Sequence, residues 1–372
     1  MWKSFSKLPM TNLLKNIKLL SQNKIENKRV LLRVDFNVPL TDDLQITDDV
    51  RIVKSIQTMQ LLLKNNNKII LVSHLGRPQG RDEKLSLKPV ADYLKKTFTQ
   101  NSITLVTDFL TQSQTPNDIT LLENIRYYEG EDKNDDAFAK QLASIADVYI
   151  NDAFGVSHRN AASIVGITKF LPSYCGLLLE KEITAVTKIM DNPKRPLVAI
   201  IGGAKISTKI VLLEKLLDIV DYLLLGGGIA NTFLQNQQPE ITQKILNLAK
   251  EKNVLLLLPI DKVGIEDKIL DIGPKTEKLF SETIKKANTI IWNGPVGLIE
   301  DKRFTKGTQS IFTAITQNDH AFSLVGGGDT LASVSGNKDI DKITHVSTGG
   351  GAMLELIEKG TLPGIEALKQ KK

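Results

Sequence analysis

The sequence predicts an α/β protein built from two Rossmann-like, doubly wound parallel-sheet lobes joined by a connector helix. Short runs rich in Val, Ile and Leu recur along the chain without polar alternation, as in a parallel sheet buried on both faces. Stretches of helical periodicity fill the intervals between them. Seven of the nine arginines lie before residue 176, whereas twenty of the 25 glycines lie from 176 onward. One half is equipped to hold anions with guanidinium groups, the other to hold phosphates with bare backbone.

In the first half, strands are expected at Arg29–Val34, Lys68–Val72, Ile103–Val106, Ile119–Leu122 and Val148–Ile150. Helices are expected between them, for example at Asp49–Leu63 and Lys88–Phe98. In the second half, the strands are Leu197–Ile201, Tyr222–Leu225, Val254–Leu258, Thr289–Trp292, Phe322–Val325 and His345–Val346. All but Val254–Leu258 run into glycine shortly after they end. Between the halves lies 176–196. Leu179, Ile183, Val186 and Met190 form one apolar helical stripe there, and Asp191-Asn192-Pro193 stops it. Such a stripe also suits a core helix inside one domain, but the switch in composition favours a connector and hinge. The expected division is a first domain at 1–175, a connector at 176–196 and a second domain from 197.

Composition sets further bounds. A chain of 372 residues suits two domains, each with its own core. Hydrophobic residues at 41% and charged residues at 24% are those of a soluble globular protein. No apolar run approaches the ~18 residues of a membrane span. The net charge of +6 is spread along the chain, and aromatics are only 5%, which argues against nucleic acid and suits small anionic substrates. The single cysteine, Cys175, excludes an internal disulfide and is expected to be a packing residue in a reducing compartment. Residues 1–10 lack the apolar core of a secretory signal and are read as a short extension, with Met10 as an alternative start. A cytoplasmic protein is expected.

Ligands of doubly wound sheets sit beyond the carboxyl ends of the strands. There, in the first half, stand Asp35 and Asn37, then His74 and Arg77, then Arg126, then His158 and Arg159, with Arg51 opening the helix after the first strand. Lysine outnumbers arginine 39 to nine, so arginine at these points implies a need for its planar fork. Arg51, His74, Arg77, Arg126 and Arg159 are expected to converge on a small, highly anionic ligand. In the second half, glycine-rich stretches at Gly202-Gly203, Gly226–Gly228, Gly294–Gly297, Gly326–Gly328 and Gly349–Gly351 offer a bed for a nucleotide polyphosphate. None matches the P-loop pattern or a dinucleotide fingerprint. Lys205 and Lys209 would contact neighbouring phosphates. Asp329 suits Mg²⁺ or a helix N-cap. Glu300 suits ribose hydroxyls or a plain surface position.

The motifs RVDFNVPL, SHLGRP, ENIRYYEGE, NDAFGVSHR, GGAKISTKI, LLGGGIANTF, WNGPVG, GGGDT and HVSTGGGA occur in this order. Together they closely resemble the phosphoglycerate kinase family from about Val30 to Leu368. The resemblance implies reversible, Mg²⁺-dependent transfer of the acyl phosphate of 1,3-bisphosphoglycerate to ADP, giving ATP and 3-phosphoglycerate. It implies that Asp35, Phe36, Asn37, Arg51, His74, Leu75, Gly76, Arg77, Arg126 and Arg159 bind the triose. Lys209, Glu300, Gly327, Gly328, Asp329 and Thr330 would bind ATP or ADP, with Asp329 close to Mg²⁺. Arg51, Lys205, Lys209 and the helix start at Gly350 would face the transferring phosphoryl group. The second domain would end at 355, and a tail at 356–372 would return to the first. A monomer is expected by the same likeness. A non-catalytic nucleotide-binding protein that keeps the fold is the competing assignment, and the intact Arg51, Lys205, Lys209 and Asp329 argue against it. There are three departures from the family pattern: the extension at 1–10, Val50 where the family mostly has Thr, and a shorter stretch between Phe233 and Gly273.

Overall fold

The computed structural model describes residues 13–111, 117–265 and 268–370. The extension 1–10 and the last two lysines lie outside these residues. The chain divides into two compact units, one of residues up to Thr184 together with Thr361 onward, the other Ala185–Gly360.

The first unit holds β1 (Arg29–Arg33), α1 (Val50–Lys64), β2 (Lys68–Val72), α2 (Lys88–Thr97), β3 (Ile103–Val106) and β4 (Ile119–Leu122). It continues through α3 (Glu129–Asp132), α4 (Asp136–Ala143), β5 (Val148–Asn151) and β6 (Ser173–Cys175). The strands form one sheet in the order β3-β4-β2-β1-β5-β6. Every pairing is parallel. Val30, Leu31 and Leu32 on β1 are all fully buried, so successive side chains on opposite faces both meet helices. Ile52, Met59 and Leu62 form the buried stripe of α1 against this sheet. The strand β6 lies outside the expected strands: Ser173-Tyr174-Cys175 has no β-branched residue, and it pairs with β5 on one side and, at Cys175, with Leu19 on the other.

The helix α5 (Leu177–Asp191) follows Gly176. It starts where the buried carboxylate of Asp152 accepts hydrogen bonds from the amides of Leu178 at 2.8 Å and Leu179 at 3.1 Å. These are two of the amides that a helix start leaves without internal partners. The division between the units falls inside this helix, between Thr184 and Ala185.

The second unit holds β7 (Leu197–Ile201), α6 (Ile210–Leu217), β8 (Tyr222–Leu225), α7 (Gly227–Leu234), α8 (Pro239–Glu251) and β9 (Leu255–Leu257). A hairpin of β10 (Lys262–Ile265) and β11 (Lys268–Ile272) comes next, then α9 (Pro274–Lys285), β12 (Thr289–Asn293), α10 (Lys306–Thr316) and β13 (Phe322–Gly326). The unit closes with α11 (Gly328–Ser333), β14 (His345–Val346) and α12 (Gly350–Lys359). The main sheet runs β14-β13-β12-β7-β8-β9, again all parallel. The chain builds outward from β7 to β9, then resumes at β12 on the other side of β7. The strand order therefore reverses between β7 and β12, the crevice where such sheets take ligands. Trp292, fully buried on β12, anchors the centre of this core.

Gly360 ends α12 with φ 75, a left-handed cap, and the chain then rejoins the first unit. There α13 (Pro363–Glu366) docks through the amide of Gly364 on the carbonyl of Ser157 at 2.8 Å. The amide of Gln370 bonds the carbonyl of Asn16 at 2.9 Å.

Candidate functional site

In the first unit the expected residues leave the ends of β4, β2, β1 and β5, which are four adjacent strands. Asp35 follows β1 and is almost fully buried. Its Oδ1 accepts from the Asn37 amide at 3.2 Å and from Arg51 Nη1 at 3.3 Å. Arg51 Nη1 also donates to the Asn37 carbonyl at 2.9 Å. Asn37 Oδ1 in turn accepts from the Gly76 amide at 2.9 Å. The Gly76 carbonyl accepts from Arg126 Nη1 at 2.7 Å. Asp35, Asn37, Arg51, Gly76 and Arg126 are thus one connected set spanning three strand ends.

Burial pushes the Asp35 carboxyl up, but Arg51, His74, Arg33 and the Asn37 amide outweigh it and hold the group below its ordinary value. It is ionised at neutral pH. His74 is buried, with Nδ1 at 3.9 Å from Asp35 Oδ1 and no hydrogen bond to that nitrogen among the described residues. Burial, with Arg33, Arg126 and Arg51 against the opposing pull of Asp35, lowers its pKa to about 3. The imidazole is neutral throughout the physiological range. A neutral imidazole offers hydrogen bonding rather than charge.

Phe36 and Leu75 are core side chains. Their contribution to the strand-end surface is backbone: the Phe36 amide donates to Ser73 Oγ at 2.8 Å, and the Leu75 carbonyl accepts from Asn124 at 2.7 Å. Arg77 and Arg159 are exposed, and neither guanidinium makes a hydrogen bond or salt bridge among the described residues. The structure leaves them outside the connected set. Arg159 is still close enough to Arg126 to help burial depress that group. A cleft of about 1020 Å³ beside α2 is lined by Asp43, Arg81, Lys88, Asp92, Glu123 and Tyr127 among others. It contains none of the expected triose residues, and its mixed charges favour neither sign.

In the second unit the glycine-bearing turns follow β14, β13, β12, β7 and β8, five adjacent strands. Lys209 Nζ donates to Asn293 Oδ1 at 2.5 Å, across the crevice between β7 and β12. Asn293 Nδ2 continues to the Gly326 carbonyl at 2.7 Å. The Thr330 hydroxyl accepts from the Gly294 amide at 2.7 Å. Lys209 is half-buried, and burial lowers its pKa against the pull of Glu358 and Asp329. Gly350 begins α12 in direct contact with Gly327: a Cβ added to Gly350 would lie 2.5 Å from the Gly327 Cα and nitrogen.

Lys205, Gly328, Asp329 and Glu300 are exposed at the rim of these turns. Asp329 sits in the first turn of α11 with no hydrogen bond or salt bridge among the described residues. No group of three or more His, Cys, Asp or Glu that could hold a metal occurs among those residues. That donor set does not make an all-protein cage. It fits Mg²⁺ held by one carboxylate, waters and substrate phosphate oxygens.

Two residues overlooked as site elements are Asn124 and Asn293. Asn124 binds the carbonyls of Leu75 and Leu85 and caps the Arg126 amide at 3.2 Å. Asn293 joins Lys209 to β13. Both stand at strand ends, Asn124 inside ENIRYYEGE and Asn293 inside WNGPVG, and that position is the signal the sequence carries.

Cations gathered at one sheet's carboxyl edge, and glycine backbone, lysine and an open carboxylate at the other's, define a phosphate-handling α/β enzyme. Comparison with known proteins narrows this class. A sequence model of the family described as phosphoglycerate kinase matches residues 20–360. Phosphoglycerate kinase of Koribacter versatilis (strain Ellin345) is 43% identical over 394 aligned positions, covering 94% of this chain and 98% of that protein. Phosphoglycerate kinase of Helicobacter pylori (strain J99) is 43% identical, covering 98% of this chain and 100% of that protein. The solved structure of phosphoglycerate kinase from Coxiella burnetii superposes with a TM-score of 0.84 at 37% identity, covering 95% of this chain and 98% of that one. The chain belongs to the phosphoglycerate kinase family.

Proposed function

We propose that this chain transfers the acyl phosphate of 1,3-bisphosphoglycerate to ADP, reversibly, giving ATP and 3-phosphoglycerate. The observation that carries the proposal is the connected Asp35–Asn37–Arg51–Gly76–Arg126 set at three adjacent strand ends. It is a cationic, pre-formed seat for a small molecule with carboxylate and phosphate groups.

Asp35 remains ionised and fixes the Arg51 fork, so the guanidinium needs no reorientation when phosphoryl charge develops. Neutral His74 and the exposed Arg77 and Arg159 complete the triose side. On the nucleotide side, Lys209 contacts phosphate oxygens and Lys205 reaches the same group from the rim. Thr330 and the Gly327-Gly328 backbone shape the polyphosphate bed, and Glu300 takes the ribose hydroxyls. The amides at the start of α12, from Gly350, stabilise the phosphoryl oxygens in flight. Mg²⁺, held by Asp329 and nucleotide phosphates, supplies charge neutralisation when bound. No side chain acts as a nucleophile. The attacking carboxylate or ADP oxygen is already ionised, and a loose transfer asks for alignment and charge stabilisation.

The triose and nucleotide residues belong to different units, so both must meet one phosphoryl group. In this reading α5 carries the hinge motion that lets them do so. The protein works as a cytoplasmic monomer. A coupled assay tests the proposal: 3-phosphoglycerate with Mg–ATP, read as NADH oxidation through glyceraldehyde-3-phosphate dehydrogenase. Turnover dependent on both substrates is expected, and its absence at saturation overturns the assignment.

A further inference from the structure

Asp271 is the one strand carboxylate of the hairpin, and only 3% of it is exposed. Its Oδ2 accepts from the Gly307 amide at 2.9 Å, in the first turn of α10. Its Oδ1 accepts from the Ile272 amide at 2.9 Å. The carboxylate also lies flat against two glycines outside its own strand. A Cβ on Gly297 would approach Asp271 Oδ1 to 2.3 Å, and a Cβ on Gly307 would do the same at 2.3 Å. Gly297 and Gly307 bracket the turn that carries Glu300. Next to Asp271, the Leu270 carbonyl accepts from the Leu298 amide at 2.8 Å. The two ends of the turn are tied together by the Thr308 hydroxyl, which accepts from the amides of Val296 at 3.2 Å and Gly297 at 3.3 Å.

We infer that Asp271 is a positioning residue for nucleotide binding: it fixes the 297–307 turn, and with it Glu300, against the hairpin. The inference rests on the assignment of Glu300 to the nucleotide side under the proposed function. Asp271 touches no substrate. It acts by holding the turn in one place, so the nucleotide meets a formed ribose seat instead of ordering a loose loop. Hydrogen bonds to a charged acceptor are stronger than neutral ones, which explains an ionised group in so buried a place. Burial pushes its pKa up to about 6, against the amides of Gly307 and Ile272. Two charged neighbours face it from the adjoining helices: Glu277 on α9 raises the value and Lys306 on α10 lowers it. Protonation removes the charge that strengthens these two hydrogen bonds, so the turn is held less firmly and nucleotide binding weakens as pH falls through about 6.

The test uses the full-length enzyme and Asp271→Ala, with steady-state kinetics for each substrate. Loss of the charged cap raises KM for Mg–ATP about tenfold or more, with kcat and KM for 3-phosphoglycerate changed less than about twofold. Asp271→Asn keeps the volume and one acceptor, so it covers the case in which the alanine variant does not fold. It is expected to bind nucleotide more weakly than the parent at pH 7.5, and to lose the parent's rise in nucleotide KM between pH 7 and 5. An unchanged nucleotide KM in both variants overturns the inference. Parallel collapse of kcat and both KM values also overturns it, since that marks a merely structural carboxylate. A parent enzyme with no activity toward 3-phosphoglycerate defeats the proposed function itself, a result distinct from either.

Discussion

The sharpest steric prediction concerns Gly350. A methyl group there would meet the Gly327 Cα and nitrogen at 2.5 Å, and both are backbone atoms that no rotamer change can move. Ordinary van der Waals contact begins near 3.4 Å, so the α12 start and the Gly327 turn must separate by about 0.9 Å. Under the proposed function the α12 amides face the transferring phosphoryl group, and the Gly327 turn cradles the nucleotide. A misplacement of ~1 Å costs on the order of 10²-fold in rate where alignment supplies the catalysis. Gly350→Ala is therefore expected to lower kcat about a hundredfold, with KM for 3-phosphoglycerate unchanged because the triose residues lie in the other unit. The coupled assay reads kcat, and thermal unfolding controls for stability. A kcat within about threefold of the parent enzyme, from a variant that stays folded, refutes the argument that the Gly350–Gly327 contact sets the transfer geometry.

Three other outcomes are expected. Arg51→Ala lowers kcat by about 10²–10³ with little change in either KM, because its pre-set fork acts on charge that develops in transit; an unchanged kcat removes Arg51 from the mechanism. Asp329→Ala weakens Mg–ADP binding measured by isothermal titration, while ADP without Mg²⁺ binds as before; parent affinity for Mg–ADP contradicts the metal assignment. Asp152, buried at the start of α5, has its pKa raised to about 6 by burial, over the opposing amides of Leu178 and Leu179. A raised carboxyl pKa favours the folded state when protonated, so this contribution is present below the unfolded value of 3.8 and is lost as pH rises through about 6. The stability of Asp152→Asn relative to the parent should therefore grow from pH 4 to pH 7.5 by up to ~3 kcal/mol. Denaturant titration at several pH values checks this, and a difference that does not vary with pH excludes the ionised carboxylate as its source.

Most of the main framework was legible because buried parallel strands advertise themselves as continuous apolar runs. Lys68–Val72, Leu197–Ile201 and Tyr222–Leu225 begin and end where the pattern placed them. β6 escaped because Ser173-Tyr174-Cys175 is held by its pairing with β5 rather than by an apolar run. The hairpin escaped because Lys262–Ile265 is exposed along its length and carries no buried stripe. At the site, residue types at strand ends located the arginines and glycines, but not which of them interlock. That Arg126 binds the Gly76 carbonyl while Arg77 makes no such bond among the described residues depends on the packing of three strand ends. The neutrality of His74 depends on burial among three arginines that are distant in sequence. Asp271 was invisible for a similar reason: a lone acid in a strand acquires meaning only when Gly297 and Gly307 close on it.

The central claim is direct phosphoryl transfer between a nucleotide and a triose carboxylate without an enzyme-bound intermediate. Incubation with γ-labelled ATP and Mg²⁺, with and without 3-phosphoglycerate, tests it most directly. Label should pass to an acyl phosphate only when 3-phosphoglycerate is present, and the protein should stay unlabelled throughout. Label on the protein, or its release only as inorganic phosphate, would contradict the account.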